Sequence, residues 1–315
     1  MEFRHFKYFV QIVDSRSLSA AAEALHVAQP ALSQQIAQLE AELGVALLIR
    51  SARGVQPTPA GDALYRQAKS VLRQITAIPA IVSASDREAV GTVALGLTAS
   101  MSAVLGLDLI ARVVERLPGI TLQISEFPSS YLAELLATAR LEIAILFADP
   151  LPRGVSGDIL FVEEVGLVSA PGLLAANRPL SLEQVGSLPL IVPARPNELR
   201  DQIDDVFRVG RVPVHYACEI TGTALMTRAV RRGLGHAPLP WSAVHEELTA
   251  GILEMRDLEG VPLRRVGRLS CSSAVPMSSL ASRVRTEIIA LVGELVTSGR
   301  WPKVSLPSAG AAGPG

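Results

Sequence analysis

Apolar positions in the first sixty residues recur at helical spacing. Phe3, Phe6, Phe9, Val10 and Val13 predict one buried stripe, and Leu32, Ile36, Leu39 and Leu43 predict a second. Opposite the second stripe stand Pro30, Ser33, Gln34, Ala37, Gln38 and Ala41, a face of amides, a hydroxyl and methyl groups with no charge. A solvated helix normally carries Glu and Lys there, so this face is suited to meeting something other than water. Ser19 reads as the N-cap of a short helix over residues 20–25, and His26-Val27-Ala28 as a tight link. Two helices joined in this way, the second with a polar outer face, predict a helix-turn-helix. The runs 47–50 and 55–58 flank Ser51-Ala52-Arg53-Gly54 and predict a β-wing, with Arg50 and Arg53 near its tip.

Thr58-Pro59 is a helix start. Leu64, Ala68, Val71, Leu72, Ile75, Ile78 and Val82 then continue at helical spacing to about residue 86. A long helix with one apolar stripe reads as a dimerisation element, and Pro79 is expected to kink it or end its regular part. From residue 91 strand-like runs alternate with helical ones. The pattern implies βαβ units, a parallel sheet, and ligands at the carboxyl ends of its strands. About 210 residues of such units suit one large domain or two lobes around a cleft. The expected division is 1–58, 59–90, 91–300 and a disordered tail over 301–315, rich in small residues.

Composition narrows the function. The 315 residues are 49% hydrophobic and 19% charged, a balance that suits ordinary cores. The first segment carries no positive excess, since Arg4, Lys7, Arg16, Arg50 and Arg53 face Glu2, Asp14, Glu23, Glu40 and Glu42. Any nucleic-acid contact must therefore come from a few well-placed groups rather than a broad positive field. Cys218 and Cys271 are too few for a disulfide scaffold or a zinc cluster and read as small core residues. No metal and no cofactor are expected. No apolar run approaches a membrane span and the N-terminus lacks a signal peptide, so a cytoplasmic location is expected. Gly-x-Ser-x-Gly, P-loop and Gly-x-Gly-x-x-Gly motifs are absent, which argues against an enzyme, and the helix-turn-helix argues against a solute-binding protein.

The stretch SLSAAAEALHVAQPALSQQIAQLEAELGVALLIRSARGVQPTPAGDALY resembles the DNA-binding region of LysR-type transcriptional regulators. Leu141–Ile145, Gly233-Leu234-Gly235 and Leu239-Pro240 extend the resemblance through the rest of the chain. Within that family, the first 35 residues are similar to the nitrogen assimilation control group. The resemblance implies an α/β protein overall: an N-terminal winged helix-turn-helix, a long linker helix, and a two-lobed α/β effector domain of the periplasmic-binding-protein kind. It implies promoter DNA as partner, a homodimer or homotetramer paired through the linker helix and regulatory domain, and RNA polymerase and a small-molecule effector as further candidate partners.

The second helix of the motif would lie in the major groove, where Gln amides pair with adenine and Ser meets bases or phosphates. The DNA-facing candidates are Gln29, Pro30, Ser33, Gln34 and Gln38, with Arg50 and Arg53 on the wing. Effector candidates by family position are Thr98 and Ser100 on one side of the cleft, Phe147 and Asn197 on the other. Thr98 and Ser100 precede a helix, where hydroxyls and amides either cap the helix or meet an anion. Relatives in the nitrogen-control group are thought to work without a small effector. Two departures from the family pattern stand out: Ala28 replaces the usual Ser cap, and Gly222 replaces a common Ser. His236, where the family usually has a branched aliphatic, reads as a structural strand histidine.

Overall fold

A computed structural model of the chain describes residues 1–51, 54–82, 90–174, 178–260 and 263–307. Two compact units result, one built on Met1–Gly91 and the other on Thr92–Ala137 and the chain from Leu141 onward.

The first unit contains α1 (Phe3–Ser15), α2 (Leu18–Ala24), α3 (Gln29–Leu43), a hairpin of β1 (Leu48–Ser51) and β2 (Gly54–Pro57), and α4 (Pro59–Val82). Its core holds Phe9, Ile12, Leu32, Ile36 and Leu39, all at 0% exposure. Burying each such side chain is worth about 1.5–3 kcal/mol, which is what holds a short helix of modest propensity in place. The two predicted stripes are right in their centres and wrong at their ends. Phe3 and Leu43 are exposed, because each sits at a helix terminus beyond the reach of the packing partner, and Ile12 is buried instead. Leu43 is followed by Gly44 in the left-handed conformation, which turns the chain away from the core.

The cap of α2 is Ser17, not Ser19. Arg16 ends α1 in a left-handed turn, the chain extends at Ser17, and the Ser17 hydroxyl accepts the Ala20 N–H at 3.3 Å. Ser19 lies inside the helix and donates to the Gln29 side chain at 3.4 Å. Thr58 begins α4 as expected, its hydroxyl accepting the Gly61 N–H at 3.0 Å and donating to the Ala46 carbonyl at 2.8 Å. The helix does not end at Pro79; it runs on to Val82.

A Cβ at Gly61 would lie 2.1 Å from the Leu47 carbonyl oxygen, which itself accepts the Thr58 N–H. Gly61→Ala is therefore expected to force α4 off the wing and cost about 1–3 kcal/mol. Thermal denaturation followed by helix content checks this; an unchanged melting profile contradicts it.

The second unit contains β3 (Gly91–Leu97), α5 (Ala99–Arg116), β4 (Ile120–Glu126), α6 (Ser129–Ala137), β5 (Ile143–Phe147), β6 (Val155–Ser169), α7 (Leu182–Gly186) and β7 (Pro189–Pro193). It continues with α8 (Glu198–Gly210), β8 (His215–Ile220), α9 (Thr223–Arg231), β9 (Ala237–Pro240), α10 (His245–Thr249), β10 (Glu254–Arg256), β11 (Arg264–Ser272), α11 (Ser279–Thr297) and β12 (Val304–Ser305). Strands run in the order β10-β6-β11-β5-β3-β4, with β9 and β12 also on β6, while β7 and β8 form a separate pair.

The sheet is not all-parallel, as the alternation of strands and helices suggested. β3–β5 and β7–β8 are parallel, but β6 is antiparallel to β9, β10, β11 and β12, and β5 to β11. The reason is β6, a 15-residue strand of which the sequence pattern exposes only the last third, because Glu163 and Glu164 interrupt its apolar run. Its first part pairs with β11 beside β5, and its last part pairs with β9 and β10. β6 and β11 thus cross between two lobes: β3–β5 with α5, α6 and α11, and β7–β10 with α7–α10.

The expected tail also starts too early at residue 301. Trp301 is 1% exposed against Phe161, and Val304–Ser305 pairs with Glu163 and Val162. Residues 308–315 lie outside the described residues. The cysteines are not core residues either: Cys218 is exposed and Cys271 half-buried.

Candidate nucleic-acid interface and ligand cleft

In the first unit α3 is held from below and behind. Its buried stripe packs on α1 and α2, and the His5 ring meets the Gln35 amide at 3.0 Å. Glu40 Oε1 accepts the Leu47 and Leu48 N–H groups at 2.7 and 3.1 Å, tying the far end of α3 to the wing. The opposite face stays free of packing. Gln29, Pro30, Gln34 and Gln38 are exposed and Ser33 is half-buried. Gln38 donates to Glu42 at 3.2 Å, which occupies it in the free protein. At the start of α3, Ala28 offers no side-chain cap, so first-turn amides remain for an outside acceptor such as a phosphate oxygen.

Arg50 stands near the wing tip, one pair from the turn, and its side chain reaches back to α3. It lies on β1 opposite Val55 and donates to the Ser33 hydroxyl at 2.9 Å. Cation, hydroxyl and the Gln29–Gln34 amides therefore share one surface, which can bind phosphate and read base edges together. Arg53 lies outside the described residues.

The second unit has a cleft of about 830 Å³. Four helix starts face it: those of α5, α6, α8 and α9. Thr98 occupies the N-cap position of α5 without capping it; its hydroxyl lies 3.3 Å from that of Ser100. Phe147 closes β5, its N–H donating to Ser129 at 3.0 Å. Asn197 caps α8 by accepting the Arg200 N–H at 3.3 Å. All four effector candidates line this one cleft.

Sequence reading missed the charged floor. Arg265 on β11 is 9% exposed and stacks 3.7 Å above the Phe147 ring. Its Nη2 lies 2.7 Å from Glu163, 3.2 Å from Ser100 and 3.3 Å from Ser242. Glu163, at 0% exposure, also accepts the Trp301 indole N–H at 3.2 Å and the Ser242 N–H at 3.1 Å. Glu198, at the start of α8, also lines the cleft; burial pushes its carboxyl above the usual carboxylate range. The available signal was an arginine at an inward position of an alternating run, Leu263–Leu269, and it needed the strand to be recognised first.

Residues 3–62 match the family described as bacterial regulatory helix-turn-helix protein, lysR family, and residues 86–291 the LysR substrate binding domain. The chain belongs to the LysR family of transcriptional regulators. It is 36% identical over 247 residues to the nitrogen assimilation regulatory protein nac of Escherichia coli, covering 77% of this chain and 79% of the relative. To its namesake from Klebsiella aerogenes it is 32% identical, covering 93% and 95%. Among solved structures, a full-length OxyR variant from Pseudomonas aeruginosa superposes with a TM-score of 0.74 at 25% identity, over 94% of this chain and 95% of that one. Full-length CbnR complexed with its target DNA shares the fold, with a TM-score of 0.63 at 19% identity over 92% and 100%. This LysR-family chain is thus a DNA-binding transcriptional regulator with an effector-domain fold. No helix among its described residues is long and apolar enough to cross a membrane.

His236 sits just before β9, where its Nδ1 meets the Ser169 hydroxyl at 2.9 Å, and burial lowers its basicity while Glu254 opposes the shift. The unfolded chain therefore takes up this proton first. The regulator is expected to lose stability as pH falls from about 7 to 5, through the ordinary histidine range, and His236→Gln should flatten that slope. Urea midpoints measured across this range check it; equal slopes contradict it.

Proposed function

We propose that this regulator binds inverted-repeat promoter sites as a dimer or tetramer, with α3 of each protomer in a major groove. Gln29, Pro30, Ser33, Gln34 and Gln38 face the bases, Arg50 and Arg53 the phosphates or the minor groove, and a small ligand in the cleft adjusts the activity. The observation that carries this reading is the exposed, uncharged α3 face joined to Arg50 through Ser33. Pairing uses the linker helix α4 and the regulatory domain, where Leu107, Ile110 and Val114 form an exposed apolar stripe on α5. The protein acts in the cytoplasm, as a regulator and not a catalyst. Hydroxyl-radical footprinting on bound promoter fragments tests it. Two protected half-sites about one helical turn apart, or a multiple of that, are expected; a single isolated half-site contradicts the dimeric reading.

A second reading is an effector-independent regulator of nitrogen-assimilation genes; the identity to the two nac proteins supports its nitrogen part. The cleft, lined by polar and charged side chains from both lobes, favours the first reading on the question of a ligand.

A further inference from the structure

Two groups of polar side chains stand out among those lining the cleft, each holding a buried atom without a partner. The first comprises the Thr98 and Ser100 hydroxyls, the start of the 18-residue α5, and Arg265. Thr98 and Ser100 are 9% and 6% exposed, and neither caps the helix they begin. Arg265 is held to Ser100 and to Glu163, yet its Nε is withheld from solvent without a partner. Hydroxyls, a helix start and an under-used guanidinium all favour a hydrogen-bond acceptor, best a carboxylate.

The second pole lies on the first turn of α8. Glu198 Oε1 accepts the Gln202 amide at 3.2 Å, whereas Oε2 has no partner and no access to solvent. Asp201, on the same turn, also faces the cleft. Arg265 lies near enough to Glu198 to be felt electrostatically, but no ion pair joins them. A buried carboxylate oxygen with no donor is an expensive state that folded proteins seldom leave unresolved. Its natural complement is a cation carrying several N–H groups, such as an ammonium.

We infer that the cleft takes a small zwitterionic amino-carboxylate, its carboxylate at Thr98, Ser100 and Arg265 and its ammonium at Glu198, whose shielded Oε2 turns into the cleft to receive it. This rests on the reading of the cleft as a ligand site and assigns the chemistry of that ligand. The two poles make the site selective: a simple acid satisfies the first and leaves Glu198 orphaned, and a simple amine does the reverse. Glu198 is then the residue that separates amino acids from their deaminated analogues.

The test uses the full-length regulator and thermal denaturation followed by tryptophan fluorescence. The probes are the proteinogenic L-amino acids at millimolar concentration, each beside its deaminated acid and its decarboxylated amine. At least one amino acid should raise the melting temperature while its acid and amine at equal concentration do not. Glu198→Gln, which removes the charge but not the fold, should weaken that amino acid at least about tenfold and leave the acid series unchanged. Acids that bind as well as their amino acids would overturn the zwitterion assignment while leaving the cleft as a ligand site. A Glu198→Gln variant that binds the amino acid normally would overturn the role of Glu198. No response to any of the three series would overturn both the assignment and the ligand reading of the cleft.

Discussion

Arg265→Met is expected to cost the regulatory half about 3–5 kcal/mol, because it strands the fully buried Glu163 charge. The substitution is close in volume, so the loss is electrostatic rather than a packing defect. Glu163 would keep the Trp301 indole N–H and the Ser242 N–H as donors, but neither carries the compensating positive charge. Two consequences separate this account from a simple cavity effect. Arg265→Met combined with Glu163→Leu should recover much of the lost stability, since an apolar pair of similar size avoids the desolvation cost of both ions. The loss should also be visible in tryptophan emission. Trp241 and Trp301 are the two tryptophans of the chain and both belong to the second unit, so fluorescence follows that unit alone. Urea denaturation monitored in this way measures the effect. A single variant within about 1 kcal/mol of wild type, the ordinary range of a tolerated substitution, would contradict it.

The second large effect concerns DNA. Gln34→Ala should weaken specific binding about 5- to 150-fold, the range that corresponds to one lost bidentate base contact of about 1–3 kcal/mol. Gln34 is exposed on α3, away from Leu32, Ile36 and Leu39, so its loss leaves the core intact. Because the amide is neutral, the salt dependence of binding should not change. Arg50→Ala behaves differently: it removes a cation and releases Ser33, so it should weaken binding to all sequences and reduce the salt slope. Gel-shift titrations of both variants at several salt concentrations distinguish the two roles. Unchanged specific affinity in Gln34→Ala would take Gln34 out of sequence reading.

What could be read from the sequence followed from local physics. The helix-turn-helix is legible because its stripes repeat over a few turns and its links are short; only the stripe ends and the α2 cap were misplaced. The α2 error has a clear source, since Ser17 and Ser19 are both good caps and only the left-handed turn at Arg16 decides between them. Family position and the strand-to-helix pattern single out Thr98, Ser100, Phe147 and Asn197 as candidates, and the fold brings them to one cleft. Arg265, Glu163 and Trp301 stayed hidden because their partners are far apart in the chain. Arg265 and Glu163 are 102 residues apart, and Trp301 and Glu163 138 apart. Non-local pairing of this kind leaves little periodic trace. A buried glutamate in the middle of β6 even broke the hydrophobic run by which that strand would have been recognised.

In the proposed mode of binding, the surface around Ser33 and Arg50 is what lets a chain with a net charge of −1 hold a polyanion. Attraction from a broad positive field is absent, so affinity must come from a small number of oriented donors. The proposed donors are the uncapped start of α3, Arg50 held against it, and the amides that follow. A modest salt slope with high sequence preference is the expected signature.

The most direct test is a binding titration of the purified full-length protein against duplex fragments from the region upstream of its own gene, at low salt with random duplex as competitor. Preferential binding to at least one fragment, with a Kd of about 10⁻⁸ M or tighter, is the predicted result. Equal affinity for every fragment and for random duplex, or no binding at all, would contradict a base-reading role for α3.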